Sequence, residues 1–413
     1  MISHRVIATS VAALFFAAAA LGAPDMLIRG AKVHTAATRG TLENADVLVR
    51  DGKIAAVGVG LVAAEGTIIV AGRNRPLTPG LYTGLANLGV VEVWGVEDTV
   101  QAGIGFGAPT WDQQWRPEFD AARVFNPRSL SIPVARIEGL TWTMLAPESS
   151  DSIMSGQGAA MTLDGRFDAT LAGSRTLFVN WNGASAQSGG SGAGSYMLFE
   201  QAIREVRSKN ASGRALLQPA GREALATYLH GGRVIFNVDR AADIRQLVMF
   251  AQRNGMRPVI SGGAEAWLVA DELARARVPV ILNPLTNLPE GFNQLGARLD
   301  NATLLHRAGV RIAFSSGDVH NARKIRQLAG NAVAHGLPWE AALQAVTAAP
   351  AEIFGMGATR GSISVGQVAD LVLWNADPLD VTSAAEQVWI EGRAIEMRSR
   401  QSDLLDRYLK RSP

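Results

Sequence analysis

Two hydrophobic periods alternate along this chain, and they divide it into three parts. Residues 26–32, 45–50, 53–57 and 67–70 are short runs that alternate apolar and polar positions, the pattern of half-buried strands. Asp51-Gly52 lies between two of these runs and predicts a tight hairpin. From 230 to 336 the pattern changes. Apolar runs at 234–238, 258–261, 278–282 and 310–314 each precede a stretch of helical spacing. Ile244, Leu247, Val248 and Ala251 mark the first helix, which Gly255 closes. Ala266, Val269, Ala270 and Leu273 mark the second. An irregular stretch and a short helix ending at Gly309 come next, and Ala322, Ile325, Leu328, Ala329 and Ala332 mark the last, before Gly336. Four strand–helix alternations with short links predict right-handed βαβ units and a parallel sheet. An α/β barrel is the expected architecture and a doubly wound open sheet is the alternative. No G-x-G-x-x-G opens a helix after the first strand, which argues against dinucleotide binding. Strand patterns return at 362–365, 369–374 and 387–390, with Glu391-Gly392 as a turn, and 402–410 reads as an amphipathic helix. The order is β, then α/β, then β, and the two terminal β parts are expected to pair.

The first residues stand outside this scheme. Arg5 precedes an almost unbroken apolar run from 6 to 20, and small residues follow at Ala20, Gly22 and Ala23. This is the pattern of a cleaved secretory signal over 1–23, too short in its apolar part for a membrane anchor. A soluble, exported, periplasmic protein with no later membrane span is the expectation. Hydrophobic residues make up 47% of the 413 and charged ones 18%, so a large core is available and wholesale disorder is excluded. The absence of cysteine excludes disulfides, thiolate metal sites and a cysteine nucleophile. Lys and Arg total 39 against 37 Asp and Glu, with no basic patch, so nucleic acid is not an expected partner. Residues 183–195 (GASAQSGGSGAGS) have the composition of a mobile loop, either a lid or a tolerated insertion. Trp94, Trp111 and Trp115 follow the first strand of the central part and are expected to pack in a core or interface, or else to line an apolar pocket.

The C-terminal third carries Phe314-Ser-Ser-Gly-Asp318, then AVAHGLPWEAALQAVTAAPAEIFGM, then Gly361-x-Ile-x-x-Gly366-x-x-Ala369-Asp370-Leu-Val-Leu, then Asn375-x-Asp-Pro378-Leu. With the strand at 53–57 and Leu77-Thr-Pro-Gly-Leu81, these segments resemble the amidohydrolase superfamily, more narrowly its exported branch of imidazolonepropionases and prolidase-like enzymes. The resemblance implies a distorted (β/α)8 barrel over 77–355. It also implies a small β-sandwich built from 24–76 with 356–398, and leaves a C-terminal helix at 399–413. It implies hydrolysis of C–N bonds in amides, cyclic amides or dipeptides, with divalent metal at the barrel mouth and an aspartate that handles the proton of the attacking water.

Placing the family's metal ligands on this sequence leaves most of them without a ligating side chain. The His-x-His pair falls on Leu85 and Asn87, the next histidine on Asn237, and the following one near Ser261-Gly262-Gly263. Leu has no donor atom, and a neutral amide oxygen is a weak ligand for zinc. The closing aspartate alone is retained, as Asp318. Of six histidines only His320 is expected at the mouth. Glu92, Glu97 and Asp98 offer oxygens for a hard cation but without a supporting spacing. Asp318 therefore reads either as a general base or as a helix N-cap. Asn87, Asn237 and His320 read as ligand contacts or as loop and helix-start residues. Ser315 and Ser316 lack the G-x-S-x-G turn of an activated nucleophile. Arg136-x-Glu138-Gly139 and Ser155-Gly-Gln157-Gly158 carry no evident chemistry. The expectation is an exported amidohydrolase-type protein without a cofactor, or at most with a divalent metal such as zinc. It would act as a catalytically impaired ligand-binding chain, or as a subunit of a homo-oligomer or of an active paralogue. The alternative is a working C–N hydrolase that uses Asp318 with an atypical metal or none.

Overall fold

The structure, a computed structural model, describes residues 23–104, 115–148, 152–182, 188, 190–208, 215–317 and 320–409. Residues 1–22 of the expected 1–23 signal, Trp111, Asp318 and most of the Gly/Ser stretch at 183–189 lie outside the described residues. The N-terminal part forms β1 (Met26–His34), β2 (Thr41–Arg50), β3 (Lys53–Gly58), β4 (Ile68–Ala71) and β5 (Pro76–Pro79). Next come β6 (Leu81–Ala86), α1 (Ser131–Arg136), β7 (Leu140–Leu145), β8 (Met154–Gly158) and β9 (Ala160–Thr162). The chain continues through β10 (Thr176–Asn180), α2 (Gly192–Arg207), α3 (Pro219–Tyr228), β11 (Arg233–Val238) and α4 (Ala241–Arg253). It goes on through β12 (Arg257–Gly262), α5 (Ala270–Ala276), β13 (Val280–Leu282), α6 (Asn301–Arg307) and β14 (Ile312–Phe314). Then α7 (Ile325–Ala334), α8 (Trp339–Gln344) and α9 (Ala348–Ile353) lead to β15 (Leu371–Trp374), β16 (Ala385–Ile390), β17 (Arg393–Ala394) and α10 (Arg400–Leu409).

The two chain ends share one eight-stranded sheet, in the order β17-β16-β15-β5-β1-β2-β3 with β4 beside β1. The two predicted turns meet there. Asp51 and Glu391 have φ of 47° and 51°, and a Cβ on Gly52 would stand 2.6 Å from the Glu391 carbonyl. Only glycine fits that approach. One face of this sheet buries Ile28, Val47, Leu77, Leu371 and Trp389 in a cluster of its own. The other face sends Val372, Trp374, Val388 and Ile390 into the main core. A buried Arg360–Asp370 ion pair fixes the sheet's lower corner. Burial holds the Asp370 carboxyl above its ordinary range, against the opposing pull of the Arg360 charge. Asp370 of the C-terminal motif is therefore part of the framework. The expected strand at 362–365 is irregular. Ile363 alone is buried deeply and its N–H donates to the Thr35 carbonyl, so one apolar side chain between serines had imitated strand alternation.

The middle of the chain forms two further sheets, a six-stranded one ordered β14-β13-β12-β11-β10-β8 and a three-stranded one, β6-β7-β9. Strands β10 to β14 are mutually parallel, as the βαβ cadence predicted. No continuous ladder closes the two sheets into a ring among the described residues. A side chain joins them instead. Ser315 Oγ accepts from Leu85 N at 2.9 Å and donates to Leu85 O at 3.3 Å. Gly84, at φ +89°, permits this approach, since a Cβ there would lie 2.9 Å from Ser315 Oγ. Ser315 is thus a structural bridge. Tyr82 and Trp142 of one sheet and Phe178, Ile235, Val259 and Ile281 of the other pack with Phe354 into a single cluster.

Local details depart from the sequence reading in places. Gly192 to Ser195 begin α2, with Ser191 as its N-cap, so the expected loop over 183–195 ends earlier. Trp115 is buried against Phe199 while Trp94 is 40% exposed, so they line no common pocket. Gln157 accepts from the Tyr228 hydroxyl at 2.7 Å and donates to the Pro117 carbonyl, a framework role for the Ser155–Gly158 motif. Glu138 faces Arg326, whose buried guanidinium also holds the carbonyls of Pro378, Asp380 and Ser383. Among the described residues no helix is long and apolar enough to cross a membrane.

Candidate functional site

The parallel strands end together, and their C-terminal ends surround a cavity of about 350 Å³. Register fixes which side chains meet there. Asn180 of β10 pairs with Asn237 of β11, and Asn237 with Ser261 of β12, so three polar residues stand in one row. Leu85, at the end of β6, and Asn87 just beyond it face them, with Glu148 from the segment after β7 and Gly317 after β14. Side chains alternate across a strand, so Asn237 shares its face with the buried Ile235.

The amides are held to different degrees. Asn87 is only 4% exposed, and its Nδ2 donates to Glu148 Oε1. Its Oδ1 is buried without a hydrogen-bond partner among the described residues. An unpaired buried acceptor is costly, so a donor brought by a ligand would be gained in full. Asn237 is exposed and tied only by long contacts, 3.5 Å to Asn180 Oδ1 and 3.4 Å from Asn182 Nδ2. Those distances are at the weak limit of hydrogen bonding, so its amide is available.

Behind this row lies a carboxylate that the sequence reading passed over. Asp239, 4% exposed, accepts from Asn182 Nδ2 at 2.7 Å, Gln294 Nε2 at 2.9 Å and Ala264 N at 3.0 Å. Its own N–H donates to Asn182 Oδ1. Glu265 likewise accepts from Ala241 N and Gly296 N. These carboxylates are satisfied by neutral donors and fasten the long segment between β13 and α6 over the strand ends. Asp239, Asn182, Gln294 and Glu148 come from four separate connections, and no local spacing announces them.

Asn87 and Asn237 line the same cavity, as does Gly317, which precedes Asp318 in the chain. Asp318 itself lies outside the described residues. His320 is exposed and is not among the residues that line the cavity. Glu92, Glu97 and Asp98 do not line it either. The donor set does not suit a zinc ion. Among the described residues it offers a hydrocarbon at Leu85, neutral amides at Asn87, Asn180 and Asn237, hydroxyls at Ser155 and Ser261, and a single carboxylate, Glu148, which accepts from Asn87. Among the described residues no group of three His, Cys, Asp or Glu side chains could hold a metal.

Comparison with known proteins places this geometry. Residues 304–395 match the model of the Amidohydrolase family. The amidohydrolase tasK of Hapsidospora irregularis is 46% identical over 83 residues, which are 20% of this chain and 8% of that protein. The matched segment thus spans less than a tenth of the length of that relative. Among solved structures, an amidohydrolase from Thermotoga maritima MSB8 superposes with a TM-score of 0.79 at 23% identity, over 90% of this chain and all of that one. A prolidase in complex with N-methylphosphonate-L-proline gives 0.55 at 17% identity, over 91% of this chain and all of that one. These structural likenesses establish the fold.

Proposed function

We propose that the chain is a hydrolase-type member of the amidohydrolase superfamily, and that this member holds a small polar ligand where its relatives carry out hydrolysis. The single observation behind this reading is the lining of the cavity. Asn180, Asn237 and Ser261 stand in one row at the strand ends, with Leu85 and Asn87 across the cavity, and together they offer amides and a hydroxyl. Such groups donate and accept in pairs, which matches the amide of a small amide, a cyclic amide or a dipeptide. Glu148 within the cavity, with Asp239 and Glu265 behind it, disfavours an anion there.

In the same reading the two middle sheets are arcs of one distorted (β/α)8 barrel, because their inward faces share one cluster. The composite terminal sheet is the small β domain beside it. Residues 1–23 direct export to the periplasm, and the mature chain works without a resident metal as a catalytically impaired subunit. Exposed apolar side chains on two connections at the strand ends, Val93 and Trp94 after β6, and Leu288 and Phe292 after β13, suit contact with a second copy or an active paralogue.

Elemental analysis of protein purified from the exported fraction, without chelators or a His-tag, tests the reading. We expect trace metal only, and a full equivalent of zinc, manganese or iron per chain would overturn it. The competing reading, hydrolysis of a C–N bond through Asp318, is supported by Gly317 at the cavity edge. It requires that Asp318→Asn abolish a measurable amidase or dipeptidase turnover with the fold intact.

A further inference from the structure

The opposite ends of the same strands carry a different chemistry. Arg233 opens β11 and Arg257 opens β12, and the two are register partners on neighbouring parallel strands. Arg277 stands ahead of β13 and Arg311 directly ahead of β14. All four line a cavity of about 590 Å³ at the N-terminal ends of the strands. Glu352 is the one acid among its lining residues, and it is ion-paired with Arg311. The cavity therefore carries three arginines in excess of its acids.

Arg233 is the most telling of the four. It is 6% exposed, and its guanidinium lies 5.9 Å from the Phe354 ring centroid. One nitrogen donates to the Ser174 carbonyl at 3.4 Å and to Thr176 Oγ1 at 3.3 Å. No carboxylate pairs with it among the described residues. Buried cations are ordinarily paired, because removal from water is otherwise uncompensated. Arg257 beside it adds repulsion. Burial first, and then the Arg257 charge, push the Arg233 guanidinium down to about 10. Arg277 adds a second irregularity. It ends α5 in the left-handed region, at φ 54°, a position that glycine fills at lower cost. Arg257 and Arg277 are both exposed and make no ion pair among the described residues, and apart from Arg257 Nε, which donates to the Gly231 carbonyl, their donors face the cavity for a ligand to use.

We propose that this basal cavity, formed by Arg233, Arg257, Arg277 and Arg311, binds a small organic polyanion of the phosphate or carboxylate class. The planar forks of Arg257 and Arg277 would take oxygens in pairs, and the anion would supply the countercharge that Arg233 lacks. The site is independent of the amide-lined cavity, since Arg233 and Asn237 lie at opposite ends of one strand.

Isothermal titration of the full mature chain with pyrophosphate and with citrate tests this. Saturable one-to-one binding of at least one probe is expected, and which of the two binds more tightly identifies the class. Arg257→Gln with Arg277→Gln, both at exposed positions, should weaken binding about a hundredfold, a tenfold loss for each removed contact. Arg123→Gln, at an arginine 85% exposed and outside the cavity, should leave it unchanged. Absence of heat with both probes at ~10 mM would overturn the proposal. So would equal weakening by Arg123→Gln, which would reduce the effect to general surface charge.

Discussion

Three residues of β11 separate Arg233 from Asn237, and three of β12 separate Arg257 from Ser261, yet the two ends of these strands solve the burial of polar groups in different ways. At the C-terminal ends the buried carboxylates of Asp239 and Glu265 are met by neutral donors, Asp239 by Asn182, Gln294 and Ala264. At the N-terminal ends arginines stand side by side, and among the described residues Arg311 alone of the four has an acid partner. The first arrangement is closed on itself, apart from the Asn87 carbonyl oxygen and the loosely held Asn237 amide. The second is open and lacks countercharge. The apolar layer of Ile235 and Val259 lies between them in sequence on both strands and joins the shared interior cluster. One sheet can therefore present two sites of opposite preference, one for neutral amides and one for anions, with little electrostatic conflict across the intervening layer.

The largest test of this contrast rebuilds the missing ligands. Leu85→His, Asn87→His and Asn237→His together would place three imidazoles around the C-terminal cavity. Zinc affinity should then rise by orders of magnitude, from none measurable to a Kd of about micromolar or tighter, as three nitrogen ligands and an open position provide. Competition with a chromogenic chelator measures it. A triple variant that folds but takes up no zinc would show that these positions do not converge as the register implies.

Much of this organisation could be read before the structure was known. The strand–helix cadence from 230 to 336 was legible because each helix shows its apolar stripe and three of the four close on a glycine, as α4 does at Gly255. The chain ends were legible because Asp51-Gly52 and Glu391-Gly392 are turns by chemistry. The span from 81 to 180 was not. Every residue of Leu81–Ala86, Leu140–Leu145 and Met154–Gly158 is buried, so no alternation marks these strands. In the site, Asn87 and Asn237 stood out through the family pattern. Asp239, Gln294 and Glu148 did not, since tertiary contact alone relates them. The arginines were equally hidden. Residues 233, 257, 277 and 311 have no common spacing, and only the strand register brings them to one end.

The next effect concerns the closed network. Asp239→Ala strands the donors of Asn182, Gln294 and Ala264 behind the amide row. A loss of about 3 kcal/mol in urea unfolding is expected, since bonds to a buried charge are worth more than neutral ones. A change below about 1 kcal/mol would mean that the network opens to water and is not the closed set described above.

A smaller effect comes from a group at neither end of the strands and serves as a reference for both. His34, on β1, is buried beside the Trp339 ring and bonded to Thr41 Oγ1 at 2.8 Å. Burial, aided by Lys32, lowers its pKa from 6.5 to about 4. The folded state thus resists a proton that the unfolded chain accepts. Its contribution is fully present above pH 6.5 and is lost as pH falls from there towards 4. After allowance for solvent in the adjoining cavity, the loss is about 2 kcal/mol. Thermal midpoints measured from pH 7 to pH 4 should fall, and His34→Gln should flatten that part of the slope. A slope unchanged in the variant would assign the acid response to other groups.

The smallest effect probes the apolar layer that keeps the two ends apart. Tyr82 is fully buried between Trp142, at 4.7 Å, and Phe354, at 6.0 Å. Its hydroxyl has no partner among the described residues, and burial pushes its pKa well above the usual tyrosine range. The hydroxyl therefore brings a desolvation cost and no hydrogen bond. Tyr82→Phe keeps the ring contacts and removes that cost, so stability should stay level or rise by up to about 1 kcal/mol. Neither cavity should change its ligand preference, because the ring and not the hydroxyl fills the layer. Denaturant midpoints, together with pyrophosphate titration of the same variant, read both consequences. A loss of more than about 1 kcal/mol would reveal a bound water on the hydroxyl. The interior between the two sites would then be wet, and their electrostatic separation weaker than the packing implies.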